Sequence, residues 1–499
     1  MPRRRVSIQW EPGQNRGAAP ADATTPRARV AIQPRDESPP LVTLERVSTP
    51  VSARPSIRRI LEQVGTPEVT GATTPKEEAI GLLQLAAEIE HSLMVQYLYA
   101  AASLPPAATG GVSDRTKVFS VAVQEMGHLI SVQNLLLLVG GPDELHFGRD
   151  GIRAASPGNP IPLVLEPISS DALAKFVVAE MPADIPDPQL RQRVDELVVI
   201  AKNATHATPH RVGALYAKLF WLFQTDDTPV PPYELSPSAA VGLKAGWHLD
   251  PKDFTKPAVI AEGEATRGDW VKGSVTGFIL SPVSNAGAAR DLISAISEQG
   301  EGLDTAHDSH FFEFLELLDA LEAGQLQITA LPVNPVARLA PAPDAGTSAA
   351  ILTPYAKLWA ELFDTRYNLL LLDLWHGLAT PNTSPTRKGL IGLAYANMHF
   401  AWELIEQLIS IRDMVGATDA APPFGIQFED LPEQDTDRWR RHERLLAAQN
   451  EIIQAIRNSP EFQDSSTGDI LDFDGSIRIG NIEQSDVVRR TLIQAGLST

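Results

Sequence analysis

The fold is decided by residues 118–139, which read VFSVAVQEMGHLISVQNLLLLV and have the apolar spacing of a helix. At about 100° per residue, Glu125 lies in the middle of the apolar stripe and His128 lies about 60° from it. The positions within about 40° of Glu125 are Val118, Val121, Leu129, Val132, Leu136 and Val139. A glutamate and a histidine are therefore expected to point together into an apolar interior.

The preceding helix, predicted between Thr74 and Leu104, repeats this arrangement. Glu90 lies in its apolar stripe, whereas Glu88 lies about 160° away, where we expect solvent. The stripe around Glu90 contains Ala79, Leu83, Ala86, Met94, Tyr97, Ala101 and Leu104. Two glutamates that are close in sequence should therefore have opposite surroundings.

Buried carboxylates need compensation, because an unpaired buried charge costs several kcal/mol. Neither helix offers Lys or Arg on the same face. A cation bound by Glu90, Glu125 and His128 would supply the compensating positive charge. A Glu on one helix and Glu-x-x-His on the next are half of a four-helix carboxylate metal site. A metal-free hydrogen-bond network is the alternative. Tyr97 shares the face of Glu90 and is our catalytic candidate, as a proton or electron relay or a partner of a ligand; it could also simply fill the core.

The second half of the site is expected near residues 284–310. Neither Glu298 nor Glu301 shares the apolar face of an ideal helix, but glycines on both sides of Glu301 permit a backbone excursion that turns it inward. We therefore predict Glu301 and His310 as ligands and Glu298 as a solvated residue. His307 competes with His310 for this role.

Glu180 is a further candidate that the sequence leaves open. It follows an apolar segment and precedes Pro182, so it is equally compatible with a ligand and with a segment end.

Composition excludes several kinds of function. The 499 residues carry 62 acidic and 42 basic side chains, and this net charge of −20 disfavours nucleic-acid binding. Without cysteine there is no disulfide, thiolate nucleophile or cysteine-ligated cluster, so a metal must be held by His, Asp, Glu or water. No stretch approaches the roughly 20 apolar residues of a membrane span. Arg3-Arg4-Arg5 is followed by no apolar signal region, which favours the cytoplasm.

The chain divides into four parts. Residues 1–59 hold eleven Arg and five acidic residues and are predicted to be a flexible basic arm. Residues 74–325 form the predicted metal-binding bundle, which has inserts at 143–208 and 224–283. Residues 350–415 are predicted to form an additional helical hairpin that packs on the bundle, and residues 416–499 are predicted to form a C-terminal helix and tail. The arm is compatible with a homo-oligomer that has the arm at its interface. Its two short echoes, RVSIQ at 5–9 and RVAIQ at 29–33, suit edge strands or chance similarity.

The ordered set of motifs resembles the ferritin-like domain of the iminophenyl-pyruvate dimer synthases, which include enzymes of violacein and rebeccamycin biosynthesis. The motifs are AEIEH at 87–91, VQEMGHL at 123–129, NLL at 134–136 with GGP at 140–142, FVVAEMP at 176–182, RVGALY at 211–216, and EQGEG at 298–302 with SHF at 309–311. Together they cover about residues 76–320, half of the chain.

This resemblance implies a mainly α, ferritin-like four-helix bundle with long loop or strand insertions and extra C-terminal helices. It implies an iron-type centre, Fe²⁺ in mono- or dinuclear form or another divalent metal, with Glu90, Glu125, His128, Glu301 and His310 as ligands. The family often has Glu where this chain has Ala214, so a lost ligand is an open alternative.

The expected function is that of an iron-dependent oxidase or oxygenase of secondary metabolism. It would act with O₂ on a small organic substrate, and the nearest reaction is oxidative dimerisation of an imine from an aromatic amino acid. A ferroxidase or peroxide-handling protein and a metal-free helical scaffold are the alternatives.

Overall fold

The structure is a computed structural model of the chain. It describes residues 8–10, 67–69, 71–106, 113–149, 162–182, 185–205, 211–224, 246–255, 265–266, 277–301, 309–337, 348–381, 384–426 and 431–464.

Helices dominate the described residues, which confirms the predicted mainly α class. In chain order they are α1 (Pro75–Ala102), α2 (Asp114–Val139), α3 (Ser170–Ala179), α4 (Pro188–Thr205), α5 (Val212–Leu222), α6 (Ala286–Glu301), α7 (His310–Glu322), α8 (Pro354–Ala379), α9 (Pro385–Val415), α10 (Asp435–Arg457) and α11 (Pro460–Asp464). None of these helices is long and apolar enough to cross a membrane.

Helices α1 and α2 form the centre of the bundle and pack extensively against each other. Each begins at a side-chain cap: the Thr74 hydroxyl accepts from Glu77 N at 3.2 Å and the Ser113 hydroxyl accepts from Thr116 N at 3.2 Å. Their buried faces combine with those of α3, α5, α6 and α7 in one hydrophobic core. This packing fixes the phase of every side chain that α1 and α2 direct inward.

Two short sheets accompany the helices. In the first, β1 (Ile8–Trp10) pairs antiparallel with β2 (Pro67–Val69). Residues 8–10 of the predicted flexible arm are therefore strand, and the rest of the arm lies outside the described residues. In the second sheet, β3 (Pro335–Val336) pairs parallel with β4 (Ala349–Ala350).

Helix α4 lies inside the 143–208 insert, where the sequence pattern predicts no helix. Only Val194, Leu197 and Ala201 are buried in it, so its apolar stripe is narrow. It packs on the short helix α3.

The C-terminal helices share the hydrophobic core of the bundle and also contact it through polar side chains. Helices α8 and α9 pack along each other, and α10 packs on α8. His91 of α1 shares a hydrogen bond with the Tyr367 hydroxyl of α8. Arg115 of α2 forms an ion pair with Glu406 of α9.

Gly127 lets a backbone segment lie directly against α2, one residue before His128. A Cβ at Gly127 would lie 3.1 Å from both Ile279 O and the Phe278 ring. The Ser131 hydroxyl donates to Ile279 O at 2.9 Å and fixes this segment in place. The close approach therefore depends on the missing side chain.

We expect Gly127→Ala to lower the free energy of unfolding by about 1 kcal/mol, because the fixed segment leaves no room for a methyl group. The matched control is Gly392→Ala in the middle of α9, where no atom lies within 4 Å of the added Cβ. This control should gain about 0.5–1 kcal/mol from the better helix propensity of alanine. Urea unfolding measures both, and equal effects of the two changes would contradict the predicted crowding.

Candidate metal centre

Helices α1 and α2 bring Glu90, Glu125 and His128 together, as their helical phases predict. His128 Nδ1 lies 2.9 Å from Glu125 Oε2 and 3.3 Å from Glu90 Oε2. One potential ligand atom from each residue lies within 4.8 Å of the other two, and all three side chains are buried. These atoms are close enough to share one ion.

A second group of three consists of Glu125, Glu180 and His310, again with one ligand atom each within 4.8 Å of the others. His310 is the first residue of α7, and Glu180 ends α3. His310 Nδ1 lies 2.8 Å from Glu125 Oε1 and 3.8 Å from Glu180 Oε1. Glu125 thus belongs to both groups and directs one oxygen at each histidine.

Tyrosine hydroxyls hold the two outer carboxylates. Tyr216 of α5 donates to Glu90 Oε1, and Tyr97 of α1 donates to Glu180 Oε1 at 2.7 Å. Tyr97 is fully buried against Phe176 and Phe314. Burial, and then the negative charge of Glu180, raise the pKa of Tyr97, so its hydroxyl keeps its proton and acts as a donor.

The donor set fits a cation. Three buried atoms, Glu90 Oε2, Glu125 Oε1 and His310 Nδ1, make no hydrogen bond. Other polar atoms lie close to them but not in hydrogen-bond geometry. An acceptor oxygen placed 2.8 Å from an imidazole nitrogen without hydrogen-bond geometry is what two ligands of one ion would show. A cavity of about 10 Å³ between these groups is comparable to the space of one water molecule.

The pKa values follow from the crowded charges. Burial, followed by the repulsion of Glu125, raises the pKa of Glu90 to about 8. Burial alone would raise the pKa of Glu125, but His310 and His128 outweigh it and hold this pKa below its usual range. Burial would lower the pKa of both histidines, yet Glu125 raises that of His128 well above its usual value and that of His310 to about 9. Protons thus compensate the carboxylates when no ion does.

The EQGEG motif lies differently from our expectation. Helix α6 continues through Gly300 to Glu301, so the predicted backbone excursion at Gly300 is wrong. Gly300 instead leaves room for Glu180, whose Oε2 would lie 2.7 Å from a Cβ at that position. The Glu301 side chain and His307 lie outside the described residues, so the role of Glu301 stays a prediction. Glu298 is half-buried rather than solvated.

Glu88 points away from the candidate ligands, as predicted, but it is not solvated. It lies 2.9 Å from His146 Nε2 and is half-buried. Ala214 is buried, yet it does not line the cavity, to which α5 contributes Val212, Gly213 and Tyr216.

The sequence does not identify two residues of the site. For Glu180 the only signal is its place between an apolar segment and a proline. Tyr216 gave no signal, because a tyrosine on a wholly buried helix is expected to be core. Together the groups form a centre with three carboxylates and two imidazoles, which are ligands suited to iron and other divalent transition metals.

Known proteins resemble this chain over the region that holds the candidate centre. The family model described as Ferritin-like matches residues 83–319. The chain is 25% identical over 423 residues to the dichlorochromopyrrolate synthase of Lentzea aerocolonigenes, an alignment that covers 74% of this chain and 38% of that protein. It is 32% identical over 139 residues to the 2-imino-3-(indol-3-yl)propanoate dimerase of Chromobacterium violaceum, covering 23% of this chain and 14% of that protein.

The chain thus spans less than half the length of these curated relatives. No solved structure matches it significantly. The two relatives confirm the resemblance that the motifs indicated, and the matched segment contains every described residue of the candidate metal centre. Residues 83–319 of this chain are therefore a ferritin-like domain.

Proposed function

We propose that this protein is a non-haem iron oxidase that couples two molecules of an imine derived from an aromatic amino acid. The observation that carries the proposal is the pair of buried ligand groups that share Glu125. Glu90, Glu125 and His128 would hold one ion, and Glu125, Glu180 and His310 a second. Bound iron would supply one-electron redox chemistry with O₂.

The names of the two relatives favour a coupling reaction, because one is a dimerase of an indolyl imine and the other a synthase. Joining two imine molecules through a new carbon–carbon bond releases two protons and two electrons. O₂ accepts both, which gives hydrogen peroxide when one molecule of O₂ is used per bond. The substrate and O₂ are thus the proposed small-molecule partners, and we place the protein in the cytoplasm.

The protein's own residues would orient and insulate the centre. Tyr216 and Tyr97 keep the carboxylates of Glu90 and Glu180 in place through hydroxyl donation. Leu93, Val212 and Ile296 line the same cavity and would keep bulk water from the ions. A dry environment strengthens the attraction between the carboxylates and a cation.

One observation favours a second candidate, a ferroxidase or peroxide-handling protein. The described cavity of about 10 Å³ accommodates an ion but not an aromatic imine. Iron oxidation needs the ligands alone. The metal-free scaffold is disfavoured by the donor atoms that lack hydrogen-bond partners.

The reaction itself distinguishes the candidates. An imine generated from tryptophan or phenylalanine by an amino-acid oxidase should be converted by the iron-loaded protein into a coupled dimer, detected by mass spectrometry. Omission of O₂ or the change Glu125→Ala should abolish the dimer. Turnover of Fe²⁺ with O₂ or peroxide, without any dimer, would favour the ferroxidase.

Metal stoichiometry tests the shared ligand. We expect Glu125→Ala to lose both ions and Glu90→Ala or Glu180→Ala to lose about one of two, because Glu125 serves both groups. Glu88→Ala is the matched control on α1 and should keep the wild-type content, since its carboxylate bonds His146. Anaerobic Fe²⁺ titration with elemental analysis measures this. Equal losses in Glu88→Ala and Glu90→Ala would refute the assignment.

The stability of the metal-free protein should fall as pH rises from about 6.5 to about 9. The pKa of Glu90 is raised from 4.5 to about 8 and that of His310 from 6.5 to about 9 by folding. The folded protein therefore binds more protons than the unfolded chain in this window, and the stabilisation is lost as pH passes the folded values. The melting temperature, measured by calorimetry, should decrease in the metal-free protein and change less when metal replaces the protons. A metal-free protein with a flat profile would contradict this.

A further inference from the structure

Both histidines of the metal centre are held from behind by a glutamine. His128 Nε2 lies 2.9 Å from Gln299 Oε1, and His310 Nε2 lies 2.7 Å from Gln124 Oε1. In each case the opposite ring nitrogen, Nδ1, faces the carboxylates. Gln124 of α2 holds the histidine of α7, and Gln299 of α6 holds the histidine of α2.

The orientation of the Gln299 amide is fixed by its other end. Its Nε2 donates to Gly277 O at 2.8 Å, so its oxygen must face His128. An amide oxygen only accepts, and the imidazole nitrogen that faces it must therefore carry the proton. When an ion takes the place of the second proton, Nδ1 offers its lone pair on the side of Glu90 and Glu125.

Gly277 is the point at which the two glutamines meet. A Cβ there would lie 2.5 Å from Gln124 Nε2 and 2.9 Å from Gln299 Nε2. Its φ of +79° is a conformation that glycine adopts without strain. The segment that follows Gly277 packs against Gly127 and is bonded by Ser131.

We infer that Gln124, Gln299 and Gly277 form a brace that sets the tautomer and orientation of both metal-binding histidines and couples the two halves of the centre. The inference rests on the proposed metal centre. Gln299 in the EQGEG motif and Gln124 beside Glu125 are thus positioning residues. Neither touches the reacting atoms.

The brace makes each glutamine specific for one ion. Gln124→Leu should lower only the affinity for the ion bound by His310, by about 10–100-fold. Gln299→Leu should lower only the affinity for the ion bound by His128, by a similar factor. The conservative Gln124→Glu retains an acceptor oxygen and should keep or tighten binding. Titration of the full chain with Zn²⁺ and with anaerobic Fe²⁺, followed by calorimetry, resolves the two binding steps.

Gly277→Ala touches neither histidine but should weaken both ions, because its methyl group displaces both amides. Gly324→Ala is the matched control: Gly324 has a similar φ of +69° and no atom within 4 Å of an added Cβ. It should lose stability from the same backbone strain and keep both affinities. The buried Gln133, which bonds the His146 backbone, supplies a glutamine control as Gln133→Leu.

A metal-independent readout separates this inference from the proposed function. In the metal-free protein, NMR should show exchange-protected Nε2–H protons on His128 and His310, each lost in its own Gln→Leu variant. Protected protons in a protein that takes up no ion would overturn the metal centre and leave the brace standing. The brace would be overturned if the wild-type protein takes up metal and both Gln→Leu variants keep the wild-type affinities and the protected Nε2–H protons.

Discussion

The rest of the centre depends on the contacts between the Glu125 carboxylate and two histidines. Its Oε2 lies 2.9 Å from His128 and its Oε1 lies 2.8 Å from His310, so one fully buried residue is in contact with two histidines from different helices. A buried charge of this kind is tolerated only when opposite charge surrounds it. Helices α2 and α7 must therefore converge at this residue, and their approach fixes where α1 and α3 can place Glu90 and Glu180.

The central part of this arrangement could be predicted because it depends on one helix at a time. The 3.6-residue period alone places Glu90 and Glu125 inside and turns Glu88 away. The relation between Glu125 and His128 is likewise local, since residues three apart share a helix face. Sequence motifs added the family and the place of His310 at a helix start.

The remaining features depend on contacts between distant segments. Glu180 reaches the centre because Gly300, 120 positions later in the chain, leaves space for it, and no local pattern encodes that distance. Tyr216 is indistinguishable from a core aromatic until its hydroxyl is seen beside Glu90. The excursion at Gly300 was predicted from the flexibility of glycine, whereas its small size proved to be the relevant property. Helix α4 was missed because only one narrow stripe of it is buried.

The hydrogen bond between His91 and Tyr367 joins the segment that matches the family model to the helices that follow it. His91 directly follows Glu90 and is fully buried, and it also contacts Phe147 O. Arg149, which donates to the backbone of Phe424 and Gly425, lies over the ring of Tyr367. A fragment cut after residue 319 would lose the partners that Tyr367, Phe424 and Gly425 supply to His91 and Arg149, next to the candidate ligand Glu90. The match to the Ferritin-like family model thus ends before the C-terminal residues that contact His91 and Arg149, so the bounds of that match do not mark a self-contained part of this chain.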